Sequence, residues 1–78
     1  MAPTILQTKN LCVVIYPKDH NPPHVHVIGP DAEAKFKIAD LSCYYSRGFS
    51  DKSLKYIEKF LKDKINKLME AWNEYFGP

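Results

Sequence analysis

The sequence has few of the residues on which several common functional sites depend. Its 78 residues include three glycines and two cysteines. The glycines form no phosphate-binding loop, and the chain has neither a Gly-x-Ser-x-Gly nucleophile motif nor a pair of catalytic carboxylates. Cys12 and Cys43 lack the short spacing of a zinc motif. The enzyme classes built on those motifs therefore have no support in this sequence.

Charge of one sign and long apolar runs are also lacking. The formal net charge is +2, from 11 basic and 9 acidic residues, which is too weak to indicate a nucleic-acid partner by field strength alone. No stretch approaches the roughly 18–20 apolar residues of a membrane helix, and the start of the chain has no basic leader. We therefore expect a cytoplasmic protein without a membrane partner, in which both cysteines are free, buried thiols.

Short apolar and β-branched segments predict an antiparallel sheet in the first part of the chain. The segment 33–38 alternates apolar and charged residues, which is typical of a strand with one face toward water. The predicted strands span residues 4–8, 11–16, 24–28 and 33–38, and 41–45 is a candidate for a short fifth. The segment 17–23 is predicted to be a loop.

A helical pattern follows the predicted sheet. Ser50 is a candidate N-cap, and from Leu54 to Phe76 the apolar residues recur at helical spacing, without a Pro or Gly between them. Gly77 and Pro78 then suit the end of a helix. We predict a single α+β domain over residues 1–78, in which a meander of about four strands (1–49) packs against one long C-terminal helix (50–76).

The segment Asp19–Val27 contains all three histidines of the chain, separated by Pro22 and Pro23. His24 and His26 lie two residues apart on a predicted strand, so their side chains share one face. His20 and Asp19 would join that face if the proline corner folds back. Structural hydrogen bonding, proton transfer or nucleic-acid contact, and metal ligation are the alternatives, in that order, and we assign no metal or cofactor at this stage.

A second candidate site is the segment 44–49, which clusters aromatic residues around an arginine. Such residues stack on bases, contact phosphate or anchor protein interfaces, and they equally well close the end of a small core. In a ribonuclease, His24 and His26 would share the roles of catalytic base and acid, and Arg47 or Lys18 would hold the phosphate. The predicted binding residues are Lys18, His20, Tyr44, Tyr45 and Arg47.

Several of these segments together resemble a family of small bacterial proteins known as a domain of unknown function. The matching segments are 3–5, 21–27 (Asn-Pro-Pro-His-Val-His-Val), 33–36 (Glu-Ala-Lys-Phe), 47–49 and 72–76 (Trp-Asn-Glu-Tyr-Phe). The resemblance implies a small α+β fold in a bacterial cytoplasm and a gene arrangement similar to toxin–antitoxin modules. We therefore expect the interaction component of such a module, with a small protein partner. The alternative is a histidine-dependent ribonuclease, and RNA binding and homo-oligomer formation stay open.

Overall fold

The computed structural model describes residues 4–77, so the predictions made for Met1–Pro3 and for Pro78 lie outside the described part of the chain. Five antiparallel strands form one sheet, and their order in the sheet is their order in the sequence. The strands are β1 (Thr4–Gln7), β2 (Cys12–Val14), β3 (His24–Gly29), β4 (Ala32–Lys37) and β5 (Cys43–Arg47). The predicted α+β class and the antiparallel meander are thus confirmed.

The fifth strand makes the sheet one strand larger than the predicted count. β5 pairs with β4 over four residue pairs, and the register shifts between Lys35 and Phe36. The strand also begins two residues later than predicted. Leu41, at the predicted start, has a φ of 57°, which is incompatible with an extended strand.

Two helices replace the single long helix that the sequence predicted. They are α1 (Asp51–Lys62) and α2 (Ile65–Phe76). Ser50 caps α1 as predicted, because its side chain accepts a hydrogen bond from the Ser53 N–H. At Lys64 the backbone leaves the helical region, with φ −120° and ψ 11°, and its N–H bonds the Leu61 carbonyl three residues back. This tightened turn ends α1 before α2 begins.

The core lies on the sheet face that both helices cover. In β4, Ala32, Ala34 and Phe36 are buried, whereas the residues between them are half-buried, so the predicted alternation is confirmed. The helices contribute Ile57, Leu61, Leu68 and Trp72 to the same cluster. Phe76, which the helical pattern included, is 36% exposed, and the buried stripe therefore ends at Trp72.

Both cysteines are free, as predicted. Cys12 lies on β2 and Cys43 on β5, which are three strands apart in the sheet. At about 4.8 Å per strand, that separation is too large for a disulfide, which needs Cα atoms within about 7 Å. The prediction that both thiols are buried is wrong for Cys43, which is exposed because the edge strand β5 lies outside the core. Cys12 is only half-buried.

Within residues 4–77, neither helix is long and apolar enough to cross a membrane.

Candidate functional site

Asp19, His24 and His26 form a compact cluster at the start of β3. Asp19 Oδ1 lies 3.1 Å from His26 Nε2 and 3.4 Å from His24 Nε2. The two histidines therefore share one face of the strand, as their spacing predicted, and the proline corner brings Asp19 back to them. His20 is exposed and is not a member of the cluster.

A tight turn before the proline corner holds Asp19 in place. The Asp19 N–H donates to the Tyr16 carbonyl at 3.0 Å, which closes a four-residue turn with Pro17 at its second position. The Tyr16 N–H in turn donates to Asp19 Oδ2 at 2.9 Å. One carboxylate oxygen is thus fixed by the backbone, and the other is directed at the two imidazoles.

The hydrogen bonds of Asp19 favour its ionised form. Burial of the side chain acts to raise its pKa, but the Tyr16 N–H and the two imidazoles outweigh burial. The pKa of Asp19 is therefore lowered from its usual value of 3.8. The cluster contains a carboxylate at neutral pH.

The other nitrogen of each imidazole also faces an oxygen atom. His24 Nδ1 lies 2.9 Å from the Pro22 carbonyl, which can only accept, so this nitrogen carries the proton. His26 Nδ1 lies 3.5 Å from Glu33 Oε2, beyond a normal hydrogen bond. It is a buried side-chain nitrogen without a hydrogen-bond partner in the described structure.

Aromatic side chains surround the cluster. The Tyr16 ring lies edge-on to His26 at 4.5 Å, and the Trp72 and Tyr44 rings lie 5.4 and 6.0 Å from the His24 ring. Burial, and to a lesser degree the Asp19 charge, raises the pKa of Tyr44 above its usual value of 10.0. The side chains of His24, Asp19 and His26 are only 12, 10 and 8% exposed. The cluster is thus enclosed rather than set in an open groove.

This enclosure limits the chemistry of the histidines. A general base needs an imidazole nitrogen that can reach a substrate proton. Here each Nε2 faces Asp19, His24 Nδ1 faces Pro22, and His26 Nδ1 is buried. Proton transfer to a substrate would therefore require the proline corner to move.

The remaining predicted binding residues lie in two other places. Lys18 is exposed at the tip of the turn, and Tyr45 and Arg47 are exposed on β5. Arg47 pairs in register with Glu33, and the Lys35 ammonium lies 5.1 Å from the centre of the Tyr45 ring. Of the predicted residues in segment 44–49, Tyr44 is the one with an aromatic contact to the cluster.

Three neighbours of the histidines were not predicted from the sequence. Tyr16 and Glu33 were assigned to strands, and Trp72 to the core. The alternation of β4 does put Glu33 on the half-buried face, so the pairing of β3 with β4 would have located it. No comparable local pattern indicates Trp72, because its contact with His24 depends on how α2 lies on the sheet.

The comparisons with known proteins give one match. No curated protein and no solved structure matches the chain significantly. The family model for Domain of unknown function (DUF4160) matches residues 11–73, a segment that includes the histidine cluster, the whole of α1 and most of α2. Since the match covers well over half of the chain, this protein belongs to the DUF4160 family.

Proposed function

We propose that the protein binds a small partner protein through the edge of β5, as the interaction component of a two-gene module similar to toxin–antitoxin pairs. The observation that supports this proposal is the exposed position of β5 at the edge of the sheet. It is the last strand of the sheet, it pairs with β4 on one side, and all five of its residues are exposed.

An exposed edge strand is a suitable binding surface for a second chain. Its outer backbone N–H and C=O groups have no strand to pair with, and an added strand supplies those hydrogen bonds. Tyr44 and Tyr45 are 50% and 41% exposed, and tyrosine is a frequent anchor of protein interfaces. β5 contains no proline, which would block strand addition.

The opposite edge of the sheet is a weaker candidate. β1 has four residues, and its register with β2 shifts between Thr4 and Leu6. Ile5 and Leu6 are also half-buried against the core. Since β5 has a register shift of its own, the difference lies in the length of β1 and in its inward-facing apolar residues, which offer a partner less backbone and less side-chain area.

The binding proposal is tested with the protein encoded by the neighbouring gene. Titration calorimetry of the two purified proteins should give a saturable complex, and Tyr45→Ala should weaken it at least tenfold. Tyr56→Ala is the matched control, because Tyr56 is a 59% exposed tyrosine of α1 and not of β5. The proposal would be contradicted if no complex forms, or if Tyr45→Ala and Tyr56→Ala weaken the complex equally. It would also be contradicted if β5 pairs only with β5 of a second copy of this chain.

A histidine-dependent ribonuclease is the second candidate. It is supported by the Asp19–His26 contact, since a carboxylate that orients an imidazole is a common feature of general bases. His26 and His24 would serve as base and acid, and Lys18 or Arg47 would hold the phosphate. Cleavage of single-stranded RNA in the presence of a chelator, lost in His26→Ala but kept in His20→Ala, is the expected result. If the wild-type protein and His20→Ala both leave the RNA intact, this activity is excluded for the tested substrate.

A further inference from the structure

We propose that Asp19, His24 and His26 bind a divalent transition-metal ion of the zinc type. Each residue offers one ligand atom, and the three atoms lie within 4.8 Å of one another. This site is independent of the partner-binding surface on β5, so either proposal can fail while the other stands.

The donor separations suit a shared ion. Zinc lies about 2.0–2.1 Å from imidazole nitrogen and carboxylate oxygen, so two ligands of a tetrahedral ion are about 3.3 Å apart. The contacts from Asp19 Oδ1 to His26 Nε2 and to His24 Nε2 are 3.1 and 3.4 Å. The two imidazole nitrogens lie within 4.8 Å of one another, so binding of both to one tetrahedral ion would bring them closer together.

The position of the proton on the His24 ring also favours a bound cation. Its Nδ1 donates to the Pro22 carbonyl, so in the neutral ring Nε2 carries a lone pair. That lone pair faces Asp19 Oδ1, which is also an acceptor, at 3.4 Å. Two acceptors at this distance repel one another unless a proton or a cation lies between them. A metal ion at this point would bind both.

His26 supplies a second, independent observation. Its buried Nδ1 has no hydrogen-bond partner and faces Glu33 Oε2 at 3.5 Å. When Nε2 binds a metal, the ring proton resides on Nδ1, where it can donate to the Glu33 carboxylate. Metal binding would thus place a donor proton opposite the Glu33 carboxylate, whereas the unpartnered buried nitrogen is costly to leave without a hydrogen bond.

Each ligand also has a group that fixes its orientation. The Tyr16 N–H holds Asp19 Oδ2, the Pro22 carbonyl holds His24, and Glu33 faces His26. Metal-binding imidazoles in proteins nearly always donate their second N–H to a carbonyl or carboxylate in this way. The three ligands come from the turn after β2 and from β3, so the site needs no movement of the helices.

The donor set determines the class of ion. Two imidazoles and one carboxylate suit zinc, iron, nickel and copper, whereas magnesium and calcium prefer oxygen ligands. Three protein ligands leave at least one coordination position for water or for an incoming group. The site therefore matches the ligand number of a metal centre that exchanges its remaining ligand.

The test is a titration of the untagged, chelator-treated protein with Zn²⁺. We expect saturable binding of one ion and a higher melting temperature, with no comparable effect of Mg²⁺. Asp19→Asn and His24→Ala should weaken zinc binding at least tenfold. His20→Ala is the matched control, because His20 lies on the same loop, is exposed and is outside the cluster.

A second measurement keeps the proposal testable if a ligand variant fails to fold. Trp72 is the only tryptophan, and its ring lies 5.4 Å from His24, so Co²⁺ bound in the wild-type site should quench its fluorescence in a saturable manner. Excess Zn²⁺ should reverse the quenching. Absence of saturable zinc binding, loss of binding in His20→Ala equal to that in His24→Ala, or unquenched Trp72 fluorescence would each overturn the proposal.

Discussion

Trp72 connects the hydrophobic core to the histidine cluster. Its side chain is 2% exposed, and its ring lies 4.3 Å from Phe76 on one side and 5.4 Å from His24 on the other. The residue therefore packs α2 onto the sheet and also forms one wall of the cluster. A substitution of Trp72 should therefore affect both the stability of the fold and the position of His24.

Trp72→Ala should lower the free energy of unfolding by about 3–5 kcal/mol, because it removes a large buried ring and leaves a cavity. A domain of this size has little stability in reserve, so most of the variant should be unfolded. Denaturant unfolding of the metal-free protein measures the loss. Tyr56→Ala, at an exposed position, should stay within about 0.5 kcal/mol of wild type. A loss below about 1 kcal/mol for Trp72→Ala would show that the ring contributes little packing.

At the residue scale, the sequence predicts two of the three members of the cluster. The spacing of His24 and His26 fixes their common face, because side chains alternate along any strand. Asp19, and not His20, joins the cluster because two hydrogen bonds between Tyr16 and Asp19 close a turn. No periodic sequence pattern describes the geometry of such a turn. The proposal of metal ligation depends on the positions of Pro22 and Glu33, which lie outside the alternation of β3.

At the scale of elements, the sequence predicts the strands and the start of the helix better than the helix break. Strand alternation and the Ser50 cap are local signals, and both are confirmed. The break at Lys64 has no such signal, since Lys62, Asp63 and Lys64 are all compatible with a helix. It lets the stripes of α1 and α2 both reach the core, so tertiary packing overrides the local helical preference.

Gly48 determines how β5 turns into α1. Its φ is +86°, and a Cβ at this position would lie 2.5 Å from the Asp31 carbonyl oxygen. Gly77, after α2, has a similar φ of +81°, but no atom lies within 4 Å of its Cβ position. A comparison of alanine variants at the two glycines therefore distinguishes the cost of backbone strain, which both have, from the cost of a clash, which only Gly48 has.

Gly48→Ala should destabilise the protein clearly more than Gly77→Ala. A positive φ strains alanine by about 1–3 kcal/mol at either site, and only residue 48 adds a collision with backbone. Thermal melts of the two variants against wild type measure the difference. Equal losses would mean that the β5–α1 turn shifts to admit the methyl group, and the edge strand would then be less fixed than the structure indicates.

At the scale of the whole molecule, one core is shared by every layer. Residues from β2, β3 and β4 and from both helices belong to a single buried cluster. Within residues 4–77, the buried residues of both helices all belong to this one cluster. The sheet and the helices are therefore separate elements of the architecture, but each depends on the same core for its stability.

We accordingly expect residues 1–78 to unfold in one cooperative step. Trp72 fluorescence reports the contact between α2 and the histidine cluster, and far-ultraviolet circular dichroism reports mainly the two helices. If both elements depend on the same core, the two signals should change at the same denaturant concentration and with the same slope. The comparison should use chelator-treated protein, since a metal ion at Asp19, His24 and His26 would stabilise the native state alone. Helical signal that persists after the Trp72 signal is lost would instead show that the helices hold together without the sheet.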